Sequence, residues 1–401
     1  MGSEQKPKET EIGMIPKEWE LNLLGKVMEL SYGKGLVKDK RTKGQFPVFG
    51  SNGIIDSHNK FLVEGPGIIV GRKGSVGEIT FCKTNFWPID TTYFVRLKEE
   101  GAIRFWYYFL KTLNFNKMNA HSAVPGLSRD QVYELKQAIP NLKEQHRIAA
   151  ILSSLDDKID LNRQMNRALE AIGQALFEHW FVDFEFSNED GKPYKSSGGE
   201  MVETELGMVP KGREVGTLED ICEIAMGQSP PGKTYNETGG GTPFYQGNRD
   251  FGFRFPTRRV YCTTPTQFAE TGGVLISVRA PVGNLNVAEE RCAIGCGVAA
   301  LRLKKKQHGY LYYLLQATQS GWNKFEAEGT VFGSANKSDV HGFKVVIPPN
   351  ELQEQFSSLV ESSDDRIITN EKQSHTLAAI RDALPPKLMS GEVRIDKGEN
   401  K

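Results

Sequence analysis

The sequence predicts an α+β protein in which two mixed α/β domains form a tandem repeat, separated by two long helices that pack as an antiparallel coiled coil. Three observations predict this fold. The chain repeats itself over most of its 401 residues, and each copy ends in a long apolar stripe at helical spacing. The rest of each copy alternates short β-prone runs with one short aromatic helix, "RFWYYFLKTL" in the first and "YLYYLLQAT" in the second.

The internal repeat sets the domain boundaries. "ETEIGMIPKEWELNLLGKVMELSYGKG" from Glu9 matches "ETELGMVPKGREVGTLEDICEIAMGQS" from Glu203, and "DDKIDLN" from Asp156 matches "DDRIITN" from Asp364. One position departs from the repeat, because Trp19 is matched by Arg213, and this predicts different local packing there. The matches predict a first domain over residues 1–140, a helix over 141–186, an acidic linker over 187–202, a second domain over 203–348, a second helix over 349–390 and a tail over 391–401.

The two helical segments carry coiled-coil stripes. Both begin with the spacing of a capping box, Asn141 with Glu144 and Asn350 with Gln353, and "PPKL" is predicted to end the second. The predicted seam residues are Ile148, Leu152, Leu155, Ile159, Asn162, Asn166, Leu169, Gly173, Leu176 and Trp180 in the first helix, and Phe356, Val360, Ile367, Asn370, Leu377 and Leu384 in the second. Nearly 40 residues make a helix of about 60 Å, so the pair is interpreted as a spacer.

Two alternatives remain open for these helices. Each could instead be an ordinary core helix of its own domain. Asn162 and Asn370 stand at matching seam positions, where they either pair in the interior and fix the register or lie exposed as polar residues.

Composition excludes several classes of protein. A hydrophobic fraction of 38% excludes a disordered chain, and no run approaches the roughly 18 apolar residues of a membrane helix. The beginning, "MGSEQKPKET", lacks the apolar segment of a secretory signal, so we expect a soluble cytoplasmic protein. The five cysteines are odd in number, irregularly spaced and without a CxxC pair. This pattern favours buried reduced thiols over disulfides or a zinc site.

"GQSPPGKT", Gly227 to Thr234, matches the phosphate-binding loop of nucleotide-binding enzymes. "ICEIAM" supplies a plausible preceding strand, but two prolines remove backbone donors from the loop and "YNETGGGTP" cannot begin the helix that such a loop requires. The first copy has "GKGLVKD" at the matching place, and other catalytic motifs are absent. We therefore expect no catalytic activity in this chain, with a nucleotidase as the alternative.

Charge is segregated along a chain whose net charge is zero. Residues 31–80 hold eight Lys/Arg against four Asp/Glu, and residues 246–306 hold ten against four, which places basic loops at matched positions in both domains. Two basic domains related by an approximate two-fold axis would suit two inverted half-sites on duplex DNA. The predicted DNA-binding residues are Lys34, Lys38, Lys40, Arg41, Lys43, Arg72, Lys73, Lys233, Arg249, Arg254, Arg258, Arg259 and Arg279, although solvated surface charge is the alternative for any one of them.

The chain resembles the specificity subunit of type I restriction-modification systems. The resemblance lies in "IPKEWELNLLG", in "IPNLKEQHRIAAILSSLDDKIDLNRQMNRALEAIGQALFEHWFVDFEF" and in "LPPKLMSGEVRI". It implies two target-recognition domains, each reading half of a bipartite, asymmetric double-stranded DNA target. It also implies that the helices dock two adenine-N6 methyltransferase subunits and that the assembly recruits endonuclease/translocase subunits. No cofactor is then expected on this chain, since S-adenosylmethionine, ATP and Mg belong to the partners. A free-standing bivalent DNA-binding regulator remains the alternative.

Overall fold

The structure, a computed structural model, describes residues 7–119, 126–305, 309–325 and 333–395. The chain packs as two compact units. The first unit is Met1–Leu161 with Gln373–Lys401, and the second unit is Asn162–Lys372. Both boundaries fall inside long helices, so each long helix contributes a segment to both units.

The first unit contains a mixed domain built from short strands and short helices. Its strands are β1 Lys8–Thr10, β2 Gly13–Ile15, β3 Glu20–Leu23, β4 Met28–Tyr32, β5 Phe46–Gly50, β6 Gly53–His58, β7 Gly67–Gly71, β8 Ile79–Cys82, β9 Trp87–Pro88, β10 Thr92–Leu97 and β11 Lys136–Ile139. Its helices are α1 Leu24–Val27, α2 Ile103–Thr112, α3 Arg129–Tyr133 and the first part of α4, Leu142–Phe177.

The main sheet of the first unit is antiparallel, in the order β4-β10-β7-β8. A second sheet has the order β6-β5-β9, and β11 pairs with β3. The aromatic helix α2 buries Phe105, Trp106, Tyr108 and Phe109, because its apolar residues recur at helical spacing and pack against the sheet. The prediction of this helix is confirmed.

The second unit repeats this plan with differences. Its strands are β12 Met201–Thr204, β13 Gly207–Pro210, β14 Glu214–Thr217, β15 Cys222–Met226, β16 Tyr235–Asn236, β17 Thr242–Tyr245, β18 Tyr261–Cys262, β19 Phe268–Ala269, β20 Val274–Ser277, β21 Leu285–Val287, β22 Cys292–Ile294, β23 Val298–Leu303 and β24 Lys344–Ile347. Its helices are α5 Leu218–Ile221, α6 Tyr310–Ala317, α7 Lys337–His341 and part of α8, Asn350–Ser390.

The main sheet of the second unit, β15-β23-β20-β21, matches that of the first strand by strand, and β14 pairs with β24 as β3 pairs with β11. The other sheet differs, since it has five strands in the order β16-β18-β17-β22-β19. The repeat therefore keeps one sheet and varies the other.

The ends of the long helices differ from prediction. The Asn141 side chain accepts from the Glu144 amide at 3.0 Å, but the Glu144 carboxylate binds Trp19 and Arg394 rather than completing a capping box. The prediction of a capping box at the start of the second helix is wrong. Asn350 already lies in α8, and the Gln353 side chain donates to the carbonyl of Pro348. After Phe177, α4 continues as a π-helical turn, Glu178–Val182.

The two prolines of "PPKL" do not end α8, which continues to Ser390. A proline removes one backbone donor and strains the preceding turn, but tertiary packing can outweigh that cost. Leu388 and Met389 are buried in the first-unit core, so the last turn is held by its side chains.

The predicted seam residues lie on the buried side of the helices. All of them are buried or half-buried. The segments run antiparallel within each unit. In the first unit Asp156 contacts Arg381 and Glu144 contacts Arg394. In the second unit Asn166 contacts Asn370 and Phe177 packs against Phe356. No helix within the described ranges is long and apolar enough to cross a membrane.

Asn162 and Asn370 are both buried, which excludes the exposed alternative. The Asn162 amide donates to the backbone carbonyl of Asn370 at 3.3 Å, and the Asn370 amide donates to Asn166 at 2.8 Å. Asn166 in turn donates to Glu371 at 2.8 Å. A hydrogen-bonded polar layer inside an apolar seam penalises sliding of one helix along the other, because sliding would leave buried amides unpaired.

Local packing around Trp19 and Arg213 differs, as the departure from the repeat predicts. Trp19 is buried and its indole N–H donates to Glu144 at 2.9 Å. Arg213 instead lies over the ring of Phe186 at 4.6 Å, and burial lowers the pKa of its guanidinium. One unit thus uses a tryptophan beside a carboxylate where the other uses an arginine on an aromatic ring.

Candidate nucleic-acid interface

The predicted DNA-binding residues of the first unit are mostly exposed. Lys34, Lys38, Lys40, Lys43 and Lys73 are exposed, whereas Arg41 and Arg72 are half-buried. The Nη1 atom of Arg41 lies 3.3 Å from Asp56, so much of its charge is compensated within the domain. Among the residues that the structure describes, no carboxylate forms an ion pair with Arg72.

The main sheet of the first unit brings Arg72 onto aromatic rings. Tyr32 ends β4 and pairs with Tyr93 of β10, and their ring centroids are 5.1 Å apart. The Arg72 guanidinium lies 5.1 Å from the centroid of Tyr32, and that of Arg129 lies 5.0 Å from the same centroid. Tyr32 is 49% exposed. An exposed aromatic ring between two guanidinium groups offers both stacking area and positive charge to a nucleic acid.

A concavity of about 410 Å³ adjoins this cluster. It is lined by Glu29, Ser31, Tyr32, Lys34, Leu62, Phe94, Arg96 and Arg129. The Arg96 guanidinium lies over the ring of Phe94 at 5.0 Å. We call Tyr32, Lys34, Arg72, Arg96 and Arg129 the basic aromatic surface.

The charge of this surface is largely uncompensated. Within the described residues, no carboxylate lies within ion-pair distance of Arg72, Arg96 or Arg129. The Arg72 Nε atom is buried and has no hydrogen-bond partner among the residues that the structure describes. Burial raises the pKa of Tyr93 to about 12, so the tyrosine beneath the surface is neutral at physiological pH. The surface therefore presents net positive charge to a ligand, with Glu29 as its acidic neighbour.

Sequence reasoning missed Tyr32, Arg96 and Arg129. Tyr32 is the last residue of β4, and Arg129 follows the N-cap residue Ser128 of α3. Neither Tyr32 nor Arg129 lies in a basic run of the sequence. Strand pairing and the backbone bond from Leu127 to the Arg72 carbonyl bring these distant positions together.

The second unit shows a different arrangement. Lys233, Arg249 and Arg279 are exposed, and Arg259 is half-buried. Arg258 is exposed but lies 3.4 Å from Glu289 and 2.7 Å from Glu290, so its charge is compensated. The positions that match Tyr32 and Arg72 in the repeat carry Met226 and Val278.

Arg254 differs from the other residues predicted to bind DNA, because it is only 3% exposed. Its Nη1 atom lies 3.1 Å from Asp364, and its guanidinium lies 3.8 Å from the ring centroid of Tyr312. The hydroxyl of Tyr313 is 3.4 Å from Nη2. A basic run predicts exposure only where no partner is available, and here Asp364 of α8 supplies one.

The "GQSPPGKT" segment does not form a phosphate-binding loop. The predicted strand before it is present as β15, but Gly232–Thr234 is a single 3-10 turn followed by strand β16. The Thr234 hydroxyl donates to the carbonyl of Pro231 at 2.8 Å, and the Tyr235 hydroxyl donates to that of Pro230 at 2.6 Å. No helix N-terminus follows Lys233 to bind a phosphate.

Four of the cysteines are buried free thiols, as predicted, but Cys296 is exposed. Burial raises the pKa of the Cys222 and Cys292 thiols to about 12, which makes them unreactive at neutral pH. Within the described residues, no group of three or more His, Cys, Asp or Glu side chains is placed to hold a metal ion.

The chain belongs to the family of type I restriction-modification specificity proteins. The family model, the type I restriction modification DNA specificity domain, matches residues 16–171 and 210–378. The two matched segments correspond to the two copies of the repeat. Proteins of this family recognise DNA targets and work with other restriction-modification subunits, so the function of this chain is DNA target recognition.

Individual relatives agree with this assignment over nearly the whole chain. The putative type I restriction enzyme MjaX specificity subunit of Methanocaldococcus jannaschii is 26% identical, covering 98% of this chain and 97% of the relative. The MjaIX specificity subunit of the same organism is 25% identical, covering 97% of each. A crystal structure of a type I restriction-modification S subunit from M. genitalium has a TM-score of 0.59 at 20% identity, covering 96% of this chain and 99% of that chain. At this identity the structural match supports the fold.

Proposed function

We propose that this chain reads a bipartite, asymmetric DNA target, with one half-site for each globular domain. The observation that carries the proposal is the difference between the matched strand ends. Tyr32 and Arg72 stand in the first unit where Met226 and Val278 stand in the second. Val278 is buried and Met226 is half-buried, so the second unit has no tyrosine or arginine at these positions to offer to DNA. Two surfaces that differ in this way select different sequences.

The paired helices serve in this proposal as the docking surface for two adenine-N6 methyltransferase subunits, and endonuclease/translocase subunits join the assembly. Exposed apolar residues on both helices support a docking role, namely Ile151, Leu161, Ile172, Leu359 and Ile380. Catalysis, with S-adenosylmethionine, ATP and Mg, is assigned to the partners.

Methylation mapping tests the proposal. The chain is expressed with its candidate methyltransferase partner in a host lacking other adenine methylation, and modified bases are located across the genome. We expect a split motif with two unlike halves and one methylated adenine on each strand. A stable complex that leaves the genome unmodified would contradict the proposal and favour a free-standing DNA-binding regulator.

Partner docking is tested by replacing Ile172 with Asp. This exposed side chain lies on α4 and is not among the residues predicted to bind DNA. We expect reduced co-purification of the methyltransferase with little change in the melting temperature of the chain alone. Glu178→Gln, at an exposed residue of the π-helical turn that follows α4, serves as a control, because it changes charge without removing apolar area.

A further inference from the structure

We propose that Arg254 is a positioning residue, which fixes the basic loop of residues 247–259 on helix α8 so that the exposed Arg249 meets DNA. The inference rests on the proposed function of the second domain. It assigns Arg254 an indirect role in specificity in place of the direct contact that its charge suggests.

The first step is the burial of the guanidinium. Arg254 is 3% exposed, and its planar group lies against the ring of Tyr312 while Nη1 contacts Asp364 at 3.1 Å. Tyr313 donates its hydroxyl to the same carboxylate at 3.0 Å. A side chain enclosed in this way cannot reach a phosphate or a base without breaking a desolvated ion pair.

The second step is the attachment of the loop backbone around Arg254. The Val287 amide donates to the Arg254 carbonyl at 2.8 Å. The Asn286 side chain both accepts from the Gly252 amide at 3.0 Å and donates to the Gly252 carbonyl at 3.1 Å. These bonds tie the loop to β21, and the ion pair with Asp364 ties it to α8. Arg249 lies five residues earlier, exposed, on a short turn that Asp250 closes by accepting from the Gln246 amide at 2.8 Å.

The third step is electrostatic. Burial opposes the charge on Arg254, but Tyr312 and Asp364 outweigh it, so the pKa of Arg254 lies above its ordinary value. Burial raises the pKa of Asp364, and Arg254 counteracts this effect. Each charge therefore depends on the other, and removing either should release the loop.

The first unit supplies a matched control. Asp156, which matches Asp364 in the repeat, is bound by Arg381 of α8 at 2.8 Å. Arg381 belongs to a helix and not to a recognition loop. Arg381→Gln thus removes an ion pair of similar composition without touching a predicted DNA-binding loop.

The experiment measures duplex binding by the full chain co-purified with its methyltransferase partner. Wild type, Arg254→Gln, Asp364→Asn and Arg381→Gln are compared on the mapped target and on duplexes with single base changes in each half-site. We expect both Arg254→Gln and Asp364→Asn to weaken binding to the target about tenfold, the scale of one lost base-edge contact. Both should lose discrimination in the same single half-site, whereas Arg381→Gln retains discrimination in both.

Salt dependence separates positioning from direct contact. If Arg254 binds no phosphate, the slope of log K against log salt stays unchanged in Arg254→Gln. A slope reduced by about 0.9, together with normal binding by Asp364→Asn, would show a direct phosphate contact and overturn the inference. Unchanged discrimination in both variants would overturn it as well.

The second variant and the methylation map distinguish a folding defect from a failure of either proposal. If Arg254→Gln does not fold, Asp364→Asn carries the test, because it keeps the size of the side chain and removes only its charge. If the wild-type complex methylates no split site, the proposed function fails. If it does so and the two variants discriminate normally, only the role of Arg254 fails.

Discussion

The two units connect their globular domain to the long helices by unlike ion pairs. In the first, Lys83 lies 3.0 Å from Asp157 and 3.0 Å from Asp160, and these side chains are 41–53% exposed. In the second, Arg254 lies 3.1 Å from Asp364, and the arginine side chain is only 4% exposed. The ion pair that joins the globular domain to a long helix is therefore exposed in the first unit and buried in the second.

A shared contact lies beneath this difference. Tyr108 donates its hydroxyl to Asp156 at 2.5 Å, and the matching Tyr313 donates to Asp364 at 3.0 Å. In the first unit Arg381 completes the contact, but the matching position on α4 is Gly173. A Cβ atom at Gly173 would lie 2.4 Å from the Tyr313 hydroxyl. The absence of a side chain at Gly173 gives Tyr313 its space, and an arginine from the recognition loop replaces the helix arginine.

The comparison teaches that the repeat preserves its helix-to-domain framework while its recognition surfaces diverge. The framework positions carry tyrosine and aspartate in both copies. The strand ends carry tyrosine and arginine in one copy, and a half-buried methionine and a buried valine in the other. Framework residues are constrained by packing, whereas surface residues can change with the DNA sequence that is read.

The largest expected effect concerns the aromatic cluster around Phe356, near the start of α8 in the second unit. Phe356 contacts Phe177, Phe181, Tyr310 and Tyr313, whereas the matching residue of the first unit is Ile148. We expect Phe356→Ala to reduce the free energy of unfolding by about 3–5 kcal/mol and Ile148→Ala by somewhat less. Hydrogen exchange should show lost protection mainly in the second unit for Phe356→Ala. Equal loss in both units would contradict the comparison.

The next effect concerns the basic aromatic surface. We expect Arg129→Gln to weaken binding to the mapped target by about 1–3 kcal/mol, because it removes an uncompensated guanidinium next to an exposed ring. Lys337→Gln, at the matching position of the second unit, and Lys26→Gln, an exposed lysine on α1, serve as controls. Binding titrations on duplexes altered in each half-site provide the measurement. If Arg129→Gln and Lys26→Gln behaved alike, the surface would contribute only general charge.

A smaller effect is expected at Gly173. Replacing a helical glycine by alanine normally stabilises a helix by about 1 kcal/mol. At this position the new methyl group would displace the ring of Tyr313, and overpacking of that kind costs about 1–3 kcal/mol. We expect Gly173→Ala to lower the melting temperature despite its better helix propensity, and thermal unfolding measures this directly. A rise in melting temperature would show that Tyr313 moves freely and that the contact with Asp364 is dispensable.

The helices and the repeat could be predicted from sequence because their signals are local. Apolar residues recur along a single segment at the seam positions, so Ile148, Leu152 and Ile159 need no knowledge of the rest of the fold. The internal repeat indicated the two-domain plan, and the resemblance to a family added its interpretation as two target-recognition domains. The burial of Leu388 and Met389, which holds the last turn of α8, could not be predicted in this way, since it depends on contacts with a distant core.

The candidate site was less predictable because its residues come from distant segments. Arg254 was predicted from a basic run, but its partner Asp364 is 110 residues away in the chain. Tyr32 and Arg129 belong to no sequence motif that predicts DNA binding. The fold places both residues beside Arg72. Charge patterns identify basic segments, but burial decides which arginines are available to DNA.

The smallest expected effect is at Lys83, the surface counterpart of Arg254. Because Lys83 and Asp157 are more than half exposed, we expect Lys83→Gln to reduce stability by only about 0.2–1 kcal/mol, with the difference shrinking in high salt. Burial by itself raises the pKa of Asp157, but the hydrogen bond from Lys83 and the charge of Arg104 hold it below its ordinary value of 3.8. A lowered pKa means that the stabilisation is present above pH 3.8 and is lost as the pH falls through the folded-state pKa. Chemical denaturation at pH 7 and at acidic pH should therefore show a small difference between wild type and Lys83→Gln that disappears in acid. A loss of several kcal/mol at pH 7 would mean that the surface connection of the first unit is as strongly coupled as the buried one of the second.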